Sequence, residues 1–188
     1  MRVIAGRWRG QTLRVPPRSQ VRPTSDRVRE AIFDMLASLQ AVQGSKVVDV
    51  FAGTGALGIE ALSRGASSVT FVERDRLAAQ AIVSNLDRLK APGESAKVLQ
   101  ADALSWVSTT RTGFDLALCD PPYSFDSWPV LLSKLPARLA VLESSRPLDL
   151  GEGWEVFRVR RYGSTLVTLV NRSFTAHPDP TATPHFAR

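Results

Sequence analysis

The chain is poor in the residues that build several common kinds of site. Its 188 residues include one cysteine, Cys119. A single thiol excludes an intramolecular disulfide and a cysteine-cluster metal site. The only two histidines, His177 and His185, fall within the last dozen residues, so no histidine-based metal or catalytic site is expected in the core. No apolar run reaches the roughly 18 residues of a membrane-spanning helix. The opening Met1-Arg2-Val3-Ile4-Ala5-Gly6-Arg7-Trp8-Arg9 lacks the continuous apolar stretch of a secretion signal. These absences lead to the expectation of a cytoplasmic protein of a reducing compartment, with no membrane or metal partner. Hydrophobic residues make up 44% and charged residues 22%, which argues against global disorder. The length suits one domain with a small appendage.

The net charge of +6 is unevenly placed. The first thirty residues hold eight arginines (Arg2, Arg7, Arg9, Arg14, Arg18, Arg22, Arg27 and Arg29) against Asp26 and Glu30. The remainder is balanced, so the whole excess lies in the first sixth of the chain. Arginine forks onto phosphate and stacks on bases better than lysine does, and Trp8 among them offers a stacking platform. Arg2, Arg7, Trp8, Arg9, Arg14 and Arg22 are therefore candidate nucleic-acid contacts. The plainer alternative is a solvated basic arm that only aids solubility.

Short strands are expected at 3–5 and 12–15, around Gly6 and Gly10, as a small hairpin. Helical spacing of Val28, Ile32, Met35, Leu36 and Leu39 predicts a helix over 26–39, opened by a Thr/Ser/Asp start. From Lys46 strands and helices alternate. Strands are expected at 47–51, 69–73, 97–100, 114–119 and 139–143, and helices at 56–64, 77–89, 103–108 and 130–135. Residues 154–161 and 164–171 read as a closing antiparallel hairpin around Tyr162-Gly163. The chain thus divides into an N-terminal arm at 1–20, a main domain at 21–172 and a proline-rich tail at 173–188 read as disordered. Alternation of this kind predicts an α/β fold with a doubly wound, mostly parallel sheet.

Ligands of such sheets sit beyond the carboxyl ends of the strands. Four segments fall there: Phe51-Ala52-Gly53-Thr54-Gly55, Glu73-Arg74, Ala101-Asp102-Ala103 and Asp120-Pro121-Pro122-Tyr123. Gly53, Gly55 and Gly58 fit G-x-G-x-x-G, which alone would suggest a dinucleotide. Asp49 at the end of the first strand changes that. A pyrophosphate would not welcome its carboxylate, whereas the amino group of an amino-acid-like cofactor would. Glu73 suits the two hydroxyls of a ribose, and Asp102 an adenine amino group. Together these acids suit S-adenosylmethionine.

Asp120-Pro121-Pro122-Tyr123 is the most specific signal. Two prolines fix φ and remove two backbone donors, leaving carbonyls to accept. The Asp120 carboxylate and the Pro121 carbonyl can both accept from an exocyclic amine whose lone pair is delocalised into a ring. Two acceptors favour pyramidal nitrogen and aim the lone pair at a methyl sulfonium, while Tyr123 stacks on the base. Cys119, inside an apolar run, reads as buried filler rather than nucleophile. Trp106, Trp128 and Trp154 read as packing residues, and Arg158, Arg160 and Arg161 as a solvated strand face.

Taken together, the sequence resembles the bacterial 16S rRNA guanine-N2 methyltransferases of the RsmD family. The matching pieces are Arg22-Pro23-Thr24-Ser25-Asp26-Arg27-Val28-Arg29-Glu30, the loop from Asp49 to Gly58, Glu60-Ala61-Leu62-Ser63-Arg64-Gly65, Phe71-Val72-Glu73, Ala101-Asp102-Ala103 and Asp120-Pro121-Pro122-Tyr123. The resemblance covers about residues 2–172. It implies a class I methyltransferase fold, Rossmann-like with a seven-stranded sheet, and an N-terminal β-hairpin that contacts RNA. It further implies S-adenosylmethionine-dependent methylation of N2 of the guanine numbered 966, in 16S rRNA within the small subunit or its precursor; nothing in the sequence suggests an obligate dimer, so a monomer is expected. Thr24 and Arg27 would help close the cofactor site. Asp49, Gly53, Gly55, Glu73 and Asp102 would hold the cofactor, with Phe51, Leu57, Arg74 and Ala103 beside them. Asp120, Pro121 and Tyr123 would handle the base. The family's fuller helix is weak here, over 126–138, which leaves the start of the strand near Leu139 open.

Three other functions use parts of these features. An adenine-N6 DNA methyltransferase would use the same Asp-Pro-Pro-Tyr edge, but usually carries a separate recognition module. A nicotinamide-dependent oxidoreductase rests on the glycines alone and leaves the prolines unexplained. A non-enzymatic RNA-binding protein on the same fold would need only the arginine-rich arm.

Overall fold

The computed structural model describes residues 1–15 and 25–173. Helix α1 (Asp26–Ser38) precedes strand β1 (Lys46–Val50), after which helices and strands alternate. The succession is α2 (Ala56–Ser63), β2 (Ser68–Glu73), α3 (Arg76–Arg88), β3 (Ala96–Gln100), α4 (Ala103–Thr109), β4 (Phe114–Cys119), α5 (Trp128–Lys134) and β5 (Ala137–Ser144). Strands β6 (Trp154–Tyr162) and β7 (Thr165–Arg172) close the chain as a hairpin. One seven-stranded sheet results, in the order β3-β2-β1-β4-β5-β7-β6. β1 to β5 run parallel, and β7 runs antiparallel between β5 and β6. The weak segment after the proline motif settles as a seven-residue α5 that begins at Trp128-Pro129, and β5 starts at Ala137.

The helix starts follow from side chains at the expected places. Ser25 Oγ accepts from the Val28 amide, Asp75 Oδ1 from Ala78 and Asp102 Oδ1 from Ser105, at 3.2, 2.8 and 3.0 Å. Each such cap is worth about 1 kcal/mol. Alternation along the strands divides the core in two. Val47, Phe71, Leu118 and Val141 pack with α1, α2 and α3 on one face. Val48, Val72, Ala117, Cys119 and Leu142 pack with α4 and α5 on the other, where Trp106, Trp128 and Trp154 are all buried. β6 lies at the open edge and carries exposed Val156, Phe157 and Val159. Among the described residues no helix is long and apolar enough to cross a membrane.

The N-terminal arm pairs its two ends more briefly than two full strands would. In place of two strands there is a single antiparallel bridge, Arg2 opposite Thr12. Three backbone hydrogen bonds flank that bridge, from Val3 to the Gln11 carbonyl, from Gly10 to the Val3 carbonyl and from Leu13 to the Met1 carbonyl, while the turn between them gives its donors to α2. Ile4 and Ala5 donate to the two carboxylate oxygens of Glu60 at 2.8 and 2.9 Å, and Arg7 donates to the Ser63 carbonyl at 2.9 Å. Ser63 Oγ accepts from the Trp8 amide and donates to the Ala5 carbonyl. Val3 and Leu13 are buried in the core with α1 and α2. Gly6 takes φ 79°, and a Cβ there would run into the Ser63 carbonyl oxygen, so only glycine lets the arm lie this close. The proline-rich tail from residue 174 lies outside the described residues.

Candidate active site

The strand register gathers the four predicted segments. Val50 pairs with Val72 and with Cys119, Val72 with Leu99, and Cys119 with Leu142. The next residues, Phe51, Glu73, Gln100, Asp120 and Glu143, therefore form one row along the carboxyl edge of the sheet. The chain order reverses between β1 and β4, which is where an open α/β sheet forms its ligand crevice.

The loop after β1 is held by acids rather than by its glycines alone. Phe51 adopts φ 65°, rare for a non-glycine residue, and Gly53 and Gly55 take φ 55° and 81°. Phe51 is half-buried, its ring edge-on to Phe125 at 5.0 Å. Glu73 at the end of β2 accepts from Gly53 N and Asp75 N, both at 2.7 Å. Asp49 Oδ2 accepts from Gly58 N at 2.8 Å and so serves the first turn of α2, which has no side-chain cap of its own. Leu57 beside it is buried in the core. Burial lifts the Asp49 carboxyl from its ordinary 3.8 to about 8; the Gly58 hydrogen bond opposes this, and the charges of Asp120 and Glu73 add to it. Burial likewise pushes the Cys119 thiol far up, with Asp49 and Asp120 adding, so Cys119 is no nucleophile.

This shift has a stability consequence. Between 3.8 and about 8 the folded protein holds a proton on Asp49 that the unfolded chain has lost. Stability therefore falls as pH rises through that window. Asp49→Asn keeps an acceptor for Gly58 and carries no charge. Urea midpoints without cofactor are expected to match wild type at the acid end and exceed it near pH 8. Parallel curves for the two proteins would contradict the assignment.

The remaining predicted residues are placed as follows. Asp102 caps α4 through one oxygen, and Ala103 is buried behind it. Arg27, on the first turn of α1, and Arg74, just past β2, are exposed. Asp120 is half-buried at the end of β4. Tyr123 is 45% exposed, and its hydroxyl shares a 3.1 Å hydrogen bond with Thr165 of β7. Pro121, Pro122, Tyr123, Phe125, Glu143 and Arg146 line a small pocket beyond β4 and β5. In the arm, the Arg7 guanidinium lies 4.1 Å from the Trp8 ring, which also rests on the core. Arg2, Arg9 and Arg14 are exposed. Arg22 and Thr24 lie outside the described residues.

Three features escaped the sequence reading. Arg29, one of the eight arginines of the first thirty residues, is fully buried, donating to the Arg2 carbonyl at 2.6 Å and to Asp26 at 2.9 Å. Its Nε lies 3.8 Å from the buried Glu60, which also accepts from Arg64 at 2.8 Å. Asn85 of α3 is buried and bonds both the amide and the carbonyl of Arg14, with a longer contact to the Thr54 carbonyl. It ties the arm to the glycine loop. Glu143 is buried in the same row as Asp120. The polar character of Glu60 inside the apolar run Ile59-Glu60-Ala61-Leu62 was the available signal for the first.

Asp49, Glu73 and Asp120 converge where a dinucleotide would put its pyrophosphate. The charges of Glu73 and Asp120, with an Asp49 that a neighbouring cation would help to ionise, disfavour an anion there and suit a cofactor that carries positive charge. The residues fit the sulfonium and amino groups of S-adenosylmethionine and do not fit a nicotinamide dinucleotide.

Comparison with known proteins agrees. A family model described as "Conserved hypothetical protein 95" matches residues 1–171. Ribosomal RNA small subunit methyltransferase D of Haemophilus influenzae is 36% identical over 174 residues, covering 87% of this chain and 89% of that protein. The protein of the same name from Escherichia coli strain K12 is 42% identical over 123 residues. That match spans 65% of this chain and 60% of the relative's length. A solved Escherichia coli structure carrying a methyltransferase designation superposes with a TM-score of 0.81 at 34% identity, over 92% of this chain and 97% of that one. The fold is that of the class I methyltransferases, and the chain belongs to the RsmD family, whose curated members are named ribosomal RNA small subunit methyltransferase D.

Proposed function

We propose that the protein methylates the exocyclic N2 amine of a guanine in 16S rRNA, within the small ribosomal subunit or its precursor, as a cytoplasmic monomer. The observation that carries this is the Asp120-Pro121-Pro122-Tyr123 edge. It combines a half-buried carboxylate, a donor-free proline carbonyl and an exposed aromatic ring beside the cluster of Asp49 and Glu73. S-adenosylmethionine supplies the electrophilic methyl group when bound. The loop at Gly53 and Gly55 would receive its amino-acid part with Asp49 beneath. Glu73 and Asp102 each keep acceptor capacity for hydroxyl and amino donors, since a carboxylate accepts at about four lone-pair positions. Thr24 and Arg27 would close this side.

Asp120 and the Pro121 carbonyl accept from the two amine hydrogens and hold the nitrogen lone pair in line. Tyr123, steadied by Thr165, stacks on the base. As the nitrogen gains positive charge, the Asp120 carboxylate stabilises it and takes the departing proton, which its partial exposure passes to water. Arg2, Arg7, Arg9 and Arg14 face solvent on one arm, and with Arg22 they would grip phosphates there.

The test is transfer of labelled methyl from S-adenosylmethionine to small subunits lacking the modification, with the product nucleoside identified. N2-methylguanosine at one site is expected. Replacing Arg7 and Arg9 by alanine is expected to raise KM and leave kcat. Label in DNA adenine instead, or cofactor bound with no label in RNA, would overturn the proposal.

A further inference from the structure

Strand β6, at the open edge of the sheet, holds charge of one sign near the site. Arg158, Arg160 and Arg161 occupy its second half, whereas its one carboxylate, Glu155, lies at the far end. The ion pairs among the described residues involve none of the three. The strand leads to the active edge. Ser144, the last residue of β5, pairs with Leu166, so the turn joining β6 to β7 stands at the carboxyl edge. Thr165 in that turn shares its hydrogen bond with the Tyr123 hydroxyl and pairs with Tyr162. Register separates the arginines by face. Arg158 and Arg160 oppose Leu169 and Val167, which pack with α1, so they share that face with Tyr162. Arg161 opposes Leu166 and lies on the other face. Arg160 stands about 7 Å along the strand from Tyr162, and Arg158 about 7 Å further. At the bulge between Val156 and Arg158, Phe157 is 47% exposed, with the Arg158 guanidinium 5.6 Å from its ring.

We infer that the β6 face carrying Arg158 and Arg160 is a second RNA-binding surface, which holds the single-stranded RNA leading away from the target base at Tyr123. This rests on the RNA methylation proposed above and deepens it. A base stacked on Tyr123 is out of its helix, and its neighbours on one side run past Thr165 onto β6. Guanidiniums on alternate residues of a strand suit successive phosphates of an extended backbone, and Phe157 gives a base a ring to stack on. A second copy of the chain is the competing occupant of an open edge. The arginines oppose it, because antiparallel pairing of two β6 strands would bring like charges together. Arginines that only keep other strands off an edge serve equally well on either face; RNA passing Tyr123 needs those on one.

Binding of a single-stranded RNA of about 12 nucleotides, followed by fluorescence anisotropy over roughly 50–200 mM salt, tests the surface apart from the reaction. Each phosphate contact on a single strand contributes about 0.7 to the slope of log affinity against log salt. Arg160→Ala is expected to lower the slope by about 0.7, and the Arg158→Ala, Arg160→Ala double variant by about 1.4. Arg161→Ala makes the same change in net charge and is expected to leave the slope alone. On small subunits lacking the modification, Arg160→Ala is expected to raise KM several-fold and keep kcat. Unchanged cofactor binding in each variant shows an intact fold. Equal responses of Arg160→Ala and Arg161→Ala, or no response in either, would overturn the surface. So would a wild type that dimerises in sedimentation and that Phe157→Asp returns to monomer, since the edge would then belong to a second copy. Wild type that binds the RNA with the expected salt response yet leaves small subunits unlabelled would overturn the methylation instead and leave the surface standing.

Discussion

Replacing Asp120 by alanine is expected to slow methyl transfer by about two to three orders of magnitude, the usual cost of removing one group that stabilises developing charge. Cofactor affinity is expected to hold, for a reason specific to this site. The charge of Asp120 is one of the influences that lift the Asp49 carboxyl. Removing it leaves Asp49 more readily ionised, and thus a better partner for a cationic amino group. The two effects separate in one pair of measurements: single-turnover label transfer and calorimetric binding of S-adenosylmethionine. Asp120→Asn, with nearly the same shape, is expected to lose most of the same rate because it cannot take the proton. Turnover near wild type in either variant would remove Asp120 from the chemistry.

The second large effect concerns Glu60. Its fully buried carboxylate meets two arm amides and two arginines. Replacing it by alanine leaves the buried Arg29 guanidinium with Asp26 as its one remaining carboxylate, strips Arg64 of its partner and frees two arm amides from α2. Breaking a buried pair from one side costs about 3–5 kcal/mol. Urea unfolding is expected to show a loss of that size, and limited proteolysis to cut the arm before the domain. A loss below about 1 kcal/mol would mean that Asp26 and the Arg2 carbonyl suffice for Arg29 and that Glu60 does not hold the arm. Truncating the arm outright would be a poorer probe of RNA binding, because Val3 and Leu13 belong to the core. Alanine at the exposed Arg7 and Arg9 leaves that packing in place.

Much of the site was legible before any coordinates. Apolar runs such as Phe114–Cys119 can only be strands covered on both faces, and they came out at the expected positions. Alternation of strand and helix then put Glu73, Asp102 and Asp120 at one edge, since parallel strands joined by helices share a direction. The prolines at 121 and 122 advertise their conformation locally. The arm was less legible. The two β-prone stretches around glycine do pair, but only over a few residues, because Ile4, Ala5 and Trp8 give their backbone donors to Glu60 and Ser63 instead.

What the sequence determined by itself is thus what periodicity and local backbone preference control: the order of elements, the parallel sheet, the glycine turn and the rigid Asp-Pro-Pro-Tyr corner. Tertiary structure alone decided which charges are buried and which acids are neighbours. Arg29 and Glu60 are far apart in the chain, and only the packing of α1 on α2 turns one of the early arginines into a core residue. Asp49 looked like a ligand for the cofactor and is also the cap of α2, because a carboxylate on β1 reaches the amide of Gly58. Glu143 gained its place through strand register, which no local pattern encodes: a shift of one residue in β5 would turn its side chain to the opposite face of the sheet.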